Sequence, residues 1–83
     1  MAVGPKKKEE RIAESVKLLK NMEEIGILET CEGYIEFKKV LNTWVTTGEA
    51  WKGKIRFHAY GRMADVILPS KDKSYASVML RVI

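Results

Sequence analysis

The chain has 83 residues, 46% of them hydrophobic, and a formal net charge of +4. This length fits one small domain and excludes two, and the composition is that of a globular chain, not a disordered one. The lone cysteine, Cys31, excludes an internal disulfide and, with a single histidine, a Cys/His metal site. We therefore expect no metal or cofactor, and a cytoplasmic or nuclear protein that is not secreted.

The N-terminal segment, MAVGPKKKEER, is basic and is not followed by an apolar run. It therefore lacks the pattern of a signal peptide, and no stretch of the sequence is apolar enough to predict a membrane span. We expect residues 1–5 to be disordered and residues 6–83 to form one domain.

A first helix is predicted over residues 6–25. Apolar residues recur there at helical spacing and form one stripe, Ile12, Val16, Leu18, Leu19, Met22 and Ile25. Gly26 follows at the position where a left-handed residue commonly ends a helix, and Ile27 can fold back onto the last turn. We expect the stripe to face the core.

Residues 27–32 predict a connector or a short strand, and residues 33–47 are ambiguous. Spacings of three, four and three favour a second helix that ends at Gly48, with its apolar side formed by Tyr34, Phe37, Leu41 and Trp44. The β-branched run Thr43, Val45, Thr46 and Thr47 favours a strand instead. Both alternatives stay open at this point.

From Gly53 onward the pattern has period two. It predicts strands over 53–60, 63–68 and 75–83, with a tight turn at Gly61–Arg62 and a polar loop after Pro69. Short connections of this kind indicate an antiparallel meander. The predicted fold is therefore α+β, with one N-terminal helix and a second at 33–47 packed on a three-stranded antiparallel sheet. The alternative is one helix on a four-stranded antiparallel sheet.

Alternation assigns the strand residues to two faces. The first is wholly apolar and is expected to pack on the helix: Ile55, Phe57, Ala59, Ala64, Val66, Leu68, Ala76, Val78, Leu80 and Val82. The second mixes cations, rings and apolar side chains: Lys54, Arg56, His58, Tyr60, Met63, Asp65, Ile67, Tyr75, Ser77, Met79 and Arg81.

The mixed face predicts a small basic module that binds RNA or single-stranded DNA. Lysine and arginine side chains hold phosphates while rings stack on unpaired bases. The expected phosphate contacts are Lys54, Arg56, Lys71, Lys73 and Arg81, and the expected stacking residues are Tyr60, Tyr75 and Trp51. His58, on the same face, is also expected among the nucleic-acid-binding residues.

The alternative is a homo-oligomeric or adaptor-type protein interaction module with no nucleic-acid role. Tyrosine, methionine and arginine are enriched at protein interfaces, and an exposed edge at strand 75–83 would allow a homodimer. An enzyme is not expected, because the sequence shows no phosphate loop, metal set or nucleophile–base pair. His58, the one histidine, has only Asp65 as a carboxylate on the same face of these strands.

Overall fold

The computed structural model describes residues 7–48, 53–68 and 78–83. Two helices, α1 (Lys8–Glu24) and α2 (Tyr34–Thr47), precede three strands, β1 (Gly53–Ala59), β2 (Arg62–Leu68) and β3 (Met79–Val82). The strands are antiparallel, with β2 in the centre. This confirms the α+β prediction with two helices on a three-stranded sheet. The N-terminal residues predicted to be disordered, and residues 75–77 of the predicted last strand, lie outside the described ranges.

The C-terminus of α1 has the predicted glycine cap. Gly26 has a φ of 91°, in the left-handed region that favours glycine. The Ile27 N–H donates to the Met22 carbonyl at 2.9 Å, and the Gly26 N–H donates to the Glu23 carbonyl at 3.0 Å. This bond pair is a Schellman motif. It reverses the chain and buries Ile27, so the connector to α2 is a series of turns and not a strand.

The face of α1 that contacts the core differs from the prediction. Leu18 and Met22 are buried, whereas Ile12 and Val16, which were expected in the core, are 44% and 61% exposed. Ser15 is buried on the same side as Leu18 and Met22. From this side, Arg11 donates from Nε to the Val45 carbonyl of α2 at 3.0 Å.

The segment that was ambiguous in sequence is the helix α2, and it ends at the left-handed Gly48. Four buried side chains lie along it, as its period predicts: Tyr34, Phe37, Leu41 and Trp44. The hydroxyls of Thr43 and Thr47 donate to the carbonyls four residues earlier, those of Lys39 and Thr43, at 3.0 and 2.7 Å. Threonines that bond back in this way are accommodated in a helix despite their strand preference.

Both helices pack on one face of the sheet. The Phe37 and Phe57 rings are perpendicular with centroids 5.6 Å apart, so α2 is anchored on β1. At the other edge of the sheet, the Glu14 carboxylate accepts the Val78 N–H at 3.1 Å, which attaches α1 beside β3. Within the described ranges, neither helix contacts the opposite face, and the side chains of Lys54, Arg56 and Arg81 on that face are exposed to solvent.

The β1–β2 hairpin turns one residue earlier than predicted. Ala59 pairs with Arg62, so the turn is Tyr60–Gly61 and not Gly61–Arg62. The two turn residues have φ values of 53° and 75°, as a two-residue type I′ turn requires. Because Gly61 occupies the second central position of the turn, Tyr60 occupies the first. Tyr60 must therefore adopt a positive φ, which is rare for this residue type.

Candidate functional site

Side chains from all three strands form rows across the solvent side of the sheet, which we call the open face. In the middle row, Arg56 and Arg81 are the cross-strand partners of Asp65. A second row joins Lys54, Ile67 and Met79. The third joins His58 and Met63, and the Ile83 N–H extends it by donating to the Met63 carbonyl at 2.9 Å. The open face is therefore a charged row between two rows rich in apolar side chains.

Asp65 is the hub of the middle row. Arg56 binds its carboxylate with two hydrogen bonds, from Nε to Oδ1 at 2.8 Å and from Nη2 to Oδ2 at 3.1 Å. Lys54 Nζ and Arg81 Nη2 lie 3.6 and 3.5 Å from Oδ2. The Asp65 side chain is 0% exposed, whereas the three cations above it remain 42–59% exposed. The carboxylate is thus covered by charged side chains that are themselves hydrated, and not by the apolar core.

The sheet register explains why Arg56 makes the closest contact. The Ile83 N–H donates to the Met63 carbonyl. Because hydrogen-bonded pairs alternate along antiparallel strands, Asp65–Arg81, two residues away on each strand, is also a hydrogen-bonded pair. The backbone groups of Asp65 consequently point toward β3. Its pair with Arg56 is of the non-hydrogen-bonded type, in which facing side chains approach more closely.

The cations keep Asp65 ionised far below neutral pH. The hydrogen bonds from Arg56 lower the pKa of the Asp65 carboxyl from 3.8 to about 2, and the charges of Arg56 and Lys54 add to this against the opposing effect of burial. The same bonds raise the pKa of the Arg56 guanidinium. At neutral pH the open face therefore holds three fixed cations around one carboxylate.

The net charge of the chain comes from its sheet-forming part. Residues 53–83 contain six basic and two acidic residues, whereas residues 1–52 contain nine of each. The helical part of the sequence is thus neutral overall, and the whole excess of +4 lies in the segment that contains the three strands. Among the described residues of this segment, Lys54, Arg56 and Arg81 outnumber Asp65 on the open face, so a polyanion would be attracted to that face.

Four of the predicted nucleic-acid contacts come together on the open face: Lys54, Arg56, His58 and Arg81. Tyr60 does not join them. It occupies the hairpin turn, 84% exposed, and its ring lies against the backbone of Gly26 at the end of α1. The positive φ of Tyr60 takes it out of the alternation of β1, so the predicted placement of this ring on the mixed face is wrong.

The other predicted contacts, Trp51, Lys71, Lys73 and Tyr75, lie outside the described residues, as do Ala76 and Ser77. Sequence reasoning missed the role of Asp65 as the anchor of the cations. The available signal was its position: it is the only carboxylate of the strand that becomes central, and it lies opposite Arg56 once the hairpin register is known.

Among residues 7–48, 53–68 and 78–83, no group of three or more His, Cys, Asp or Glu side chains could hold a metal ion. Over the same ranges, neither helix combines the length and the apolar character needed to cross a bilayer. No protein family, no curated protein and no solved structure matches this chain.

Proposed function

We propose that the chain binds RNA or single-stranded DNA through its open face. The observation that carries the proposal is the convergence of three half-exposed cations, from two strands, around the carboxylate of Asp65 on a solvent-facing sheet. The three positive charges exceed the single negative charge, and a phosphate backbone supplies the complementary charge.

Asp65 orders the cations for a ligand and does not neutralise all of their positive charge. It holds the Arg56 guanidinium through Nε and Nη2 and leaves the remaining N–H donors of that group for a phosphate oxygen. Arginine side chains that are already ordered lose less conformational freedom when the ligand binds. The rows on either side add apolar surface and His58, which can contact bases or sugars.

Phosphate contacts dominate in this proposal, so little sequence preference is expected. Among the described residues, the open face has no tyrosine or tryptophan on which a base could stack. Tyr75 and Trp51 would supply stacking, and Lys71 and Lys73 further phosphate contacts, if they border the same face. Tyr60 is assigned no part in the interface, because its ring lies on the helix side.

The test is binding of fluorescent oligo-U and oligo-dT by anisotropy over a range of salt concentrations. Arg81→Gln removes one open-face cation while keeping a polar side chain. Lys39→Gln, the matched control, removes one exposed charge from α2, where Lys39 lies near Glu36. We expect Arg81→Gln to weaken binding several-fold and to reduce the slope of log K against log salt by about 0.7. Lys39→Gln should leave both unchanged.

Two outcomes would contradict the proposal. One is no salt-sensitive binding of either oligonucleotide at micromolar protein. The other is an equal loss of affinity in Arg81→Gln and Lys39→Gln, which would indicate attraction to the net charge of the chain and not to the open face. The interaction-module alternative would then be the better account.

The outer edge of β3 supports a second candidate, the homodimer that the sequence predicts through strand 75–83. Because Arg81 and Met79 bond toward β2, the backbone groups of Leu80 and Val82 point away from the sheet. An edge of this kind can pair with a second strand. Val82→Pro removes one outward N–H without breaking a bond to β2, and loss of a dimer by light scattering would support this candidate.

A further inference from the structure

An apolar stripe on α1 faces solvent. It consists of Ile12, Val16 and Leu19, spaced by four and three residues, and it continues to Leu28 in the connector. Val16 is 61% exposed, Ile12 44% and Leu28 42%, whereas Leu19 is half-buried at the rim of a groove that extends to Ile27 and Tyr34. Within the described ranges no segment covers this stripe. Exposed apolar side chains that lie next to one another are common where proteins bind partners.

Four exposed charged residues border the stripe: Lys8, Glu9, Lys20 and Glu23. Glu9 and Lys20 are about three helical turns apart and therefore lie on the same side of the stripe. Lys8 and Glu23 are about four turns apart, at its two ends. Each end of the stripe thus has one charge of each sign. Lysine is the outer charge at the N-terminal end, and glutamate is the outer charge at the C-terminal end.

We infer that the stripe binds the same stripe of a second copy of this chain, with the two α1 helices antiparallel. A two-fold axis near Val16 would place Ile12 against Leu19 of the partner subunit. It would also bring Lys8 to Glu23 of the partner subunit and Glu9 to Lys20 of the partner subunit. Along α1, the midpoints of these three pairs agree to within one residue. A single two-fold axis can therefore bring all three pairs together. A parallel arrangement would instead place like charges side by side.

The charges at the ends of α1 favour the same arrangement. At its N-terminus, Lys7 and Lys8 stand before Glu9 and Glu10 of the first turn, whereas its last turn contains no basic residue and ends in Glu23 and Glu24. Anions at a helix C-terminus oppose the helix dipole. An antiparallel partner brings its Lys8 to this end, so association compensates for charges that are unfavourable within one chain.

The test is the molecular mass of the protein in sedimentation-equilibrium runs from micromolar to millimolar concentration. We expect a concentration-dependent dimer that Val16→Glu converts to a monomer with an unchanged circular dichroism spectrum, because Val16 packs little within its own chain. Lys8→Glu and Glu23→Lys should each weaken the dimer at least several-fold. The double variant Lys8→Glu/Glu23→Lys should restore it, since the swapped charges again face opposite signs.

The rescue by the charge swap separates this interface from a general effect on folding. Val82→Pro, which alters the edge of β3 and leaves α1 intact, should not change the association. A strict monomer at millimolar protein, a dimer that survives Val16→Glu, failure of the double variant to recover, or dissociation by Val82→Pro would each overturn the inference.

Discussion

Asp65 shows how a carboxylate can be fully covered on a face that is open to water. It occupies the middle of the central strand, and Lys54, Arg56 and Arg81 from the two outer strands lie across it. Removing the carboxylate would leave three cations facing one another without a counter-charge. We therefore expect Asp65→Asn to lower the free energy of unfolding at neutral pH, and the pH dependence of that free energy identifies the cause.

The pKa of Asp65 is lowered on folding from 3.8 to about 2. A depressed folded-state pKa stabilises the protein at every pH above the unfolded-state value, and the contribution is lost as pH falls through the folded-state value. Between about pH 4 and pH 2, the free energy of unfolding should therefore fall more steeply for the natural chain than for Asp65→Asn. Urea titrations at several pH values across this window measure both slopes, and parallel slopes would contradict the proposed network.

Gly26 meets two demands at once, a left-handed φ and the close approach of the Tyr60 ring. A Cβ at Gly26 would collide with Cδ2 and Cε2 of that ring, whereas a Cβ at Gly33, which has a similar φ of 85°, would meet open space. The left-handed backbone alone costs a non-glycine residue about 1–2 kcal/mol. Gly26→Ala should therefore destabilise the fold by more than Gly33→Ala in thermal unfolding. The difference in destabilisation between Gly26→Ala and Gly33→Ala should shrink in a Tyr60→Ala background. If that difference were unchanged there, the ring would not be its cause.

At the scale of elements, the face that α1 presents to the core can be tested by two substitutions two residues apart. Leu18 is buried beneath the helix and Val16 is mostly exposed. Leu18→Ala should cost about 2–5 kcal/mol of unfolding free energy, because it leaves a cavity in a packed core. Val16→Ala should stay within about 0.5 kcal/mol, as expected for a surface position. Urea denaturation below the concentration at which the chain self-associates measures both, and equal costs would contradict the orientation described.

Much of the fold could be predicted from the spacing of apolar residues. The period of Tyr34, Phe37, Leu41 and Trp44 predicted α2 against the strand preference of its threonines. The alternation of β1 and β2 placed Phe57 and Val66 in the core and Arg56 outside it. These predictions succeed because the spacing of apolar residues along an element indicates directly which of its sides faces the core.

The orientation of α1 could not be predicted in the same way. Leu18 and Leu19 are adjacent, so two overlapping stripes exist. The contacts that accompany the observed orientation are long-range: the bond from Arg11 to the Val45 carbonyl joins residues 34 positions apart. The turn was misplaced for a related reason: Gly61 can occupy either central position of a two-residue turn, and choosing the second gives Tyr60 a strained backbone.

Part of the candidate site was predicted and part was not. Lys54, Arg56 and Arg81 were identified from the sequence, but Asp65, the carboxylate that all three contact, was not identified as their anchor.

At the scale of the whole molecule, charge is unevenly distributed along the sequence. The helices pack together on one side of the sheet, and residues 53–83, which include the three strands, contain the entire net charge of +4. We propose that a nucleic acid binds the open face, on the side away from the helices. The most direct test is therefore one that reports where on the protein the ligand binds.

That test is a titration of the ¹⁵N-labelled protein with oligo-U, followed by amide chemical shifts at low salt. The account predicts that the largest shifts map to the middle row and its neighbours, at residues 54–58, 63–67 and 79–81, and that they diminish together as salt is added. Amides of α1 and α2 should move little. Shifts that concentrate on the helices, or a spectrum unchanged at saturating oligo-U, would contradict the account.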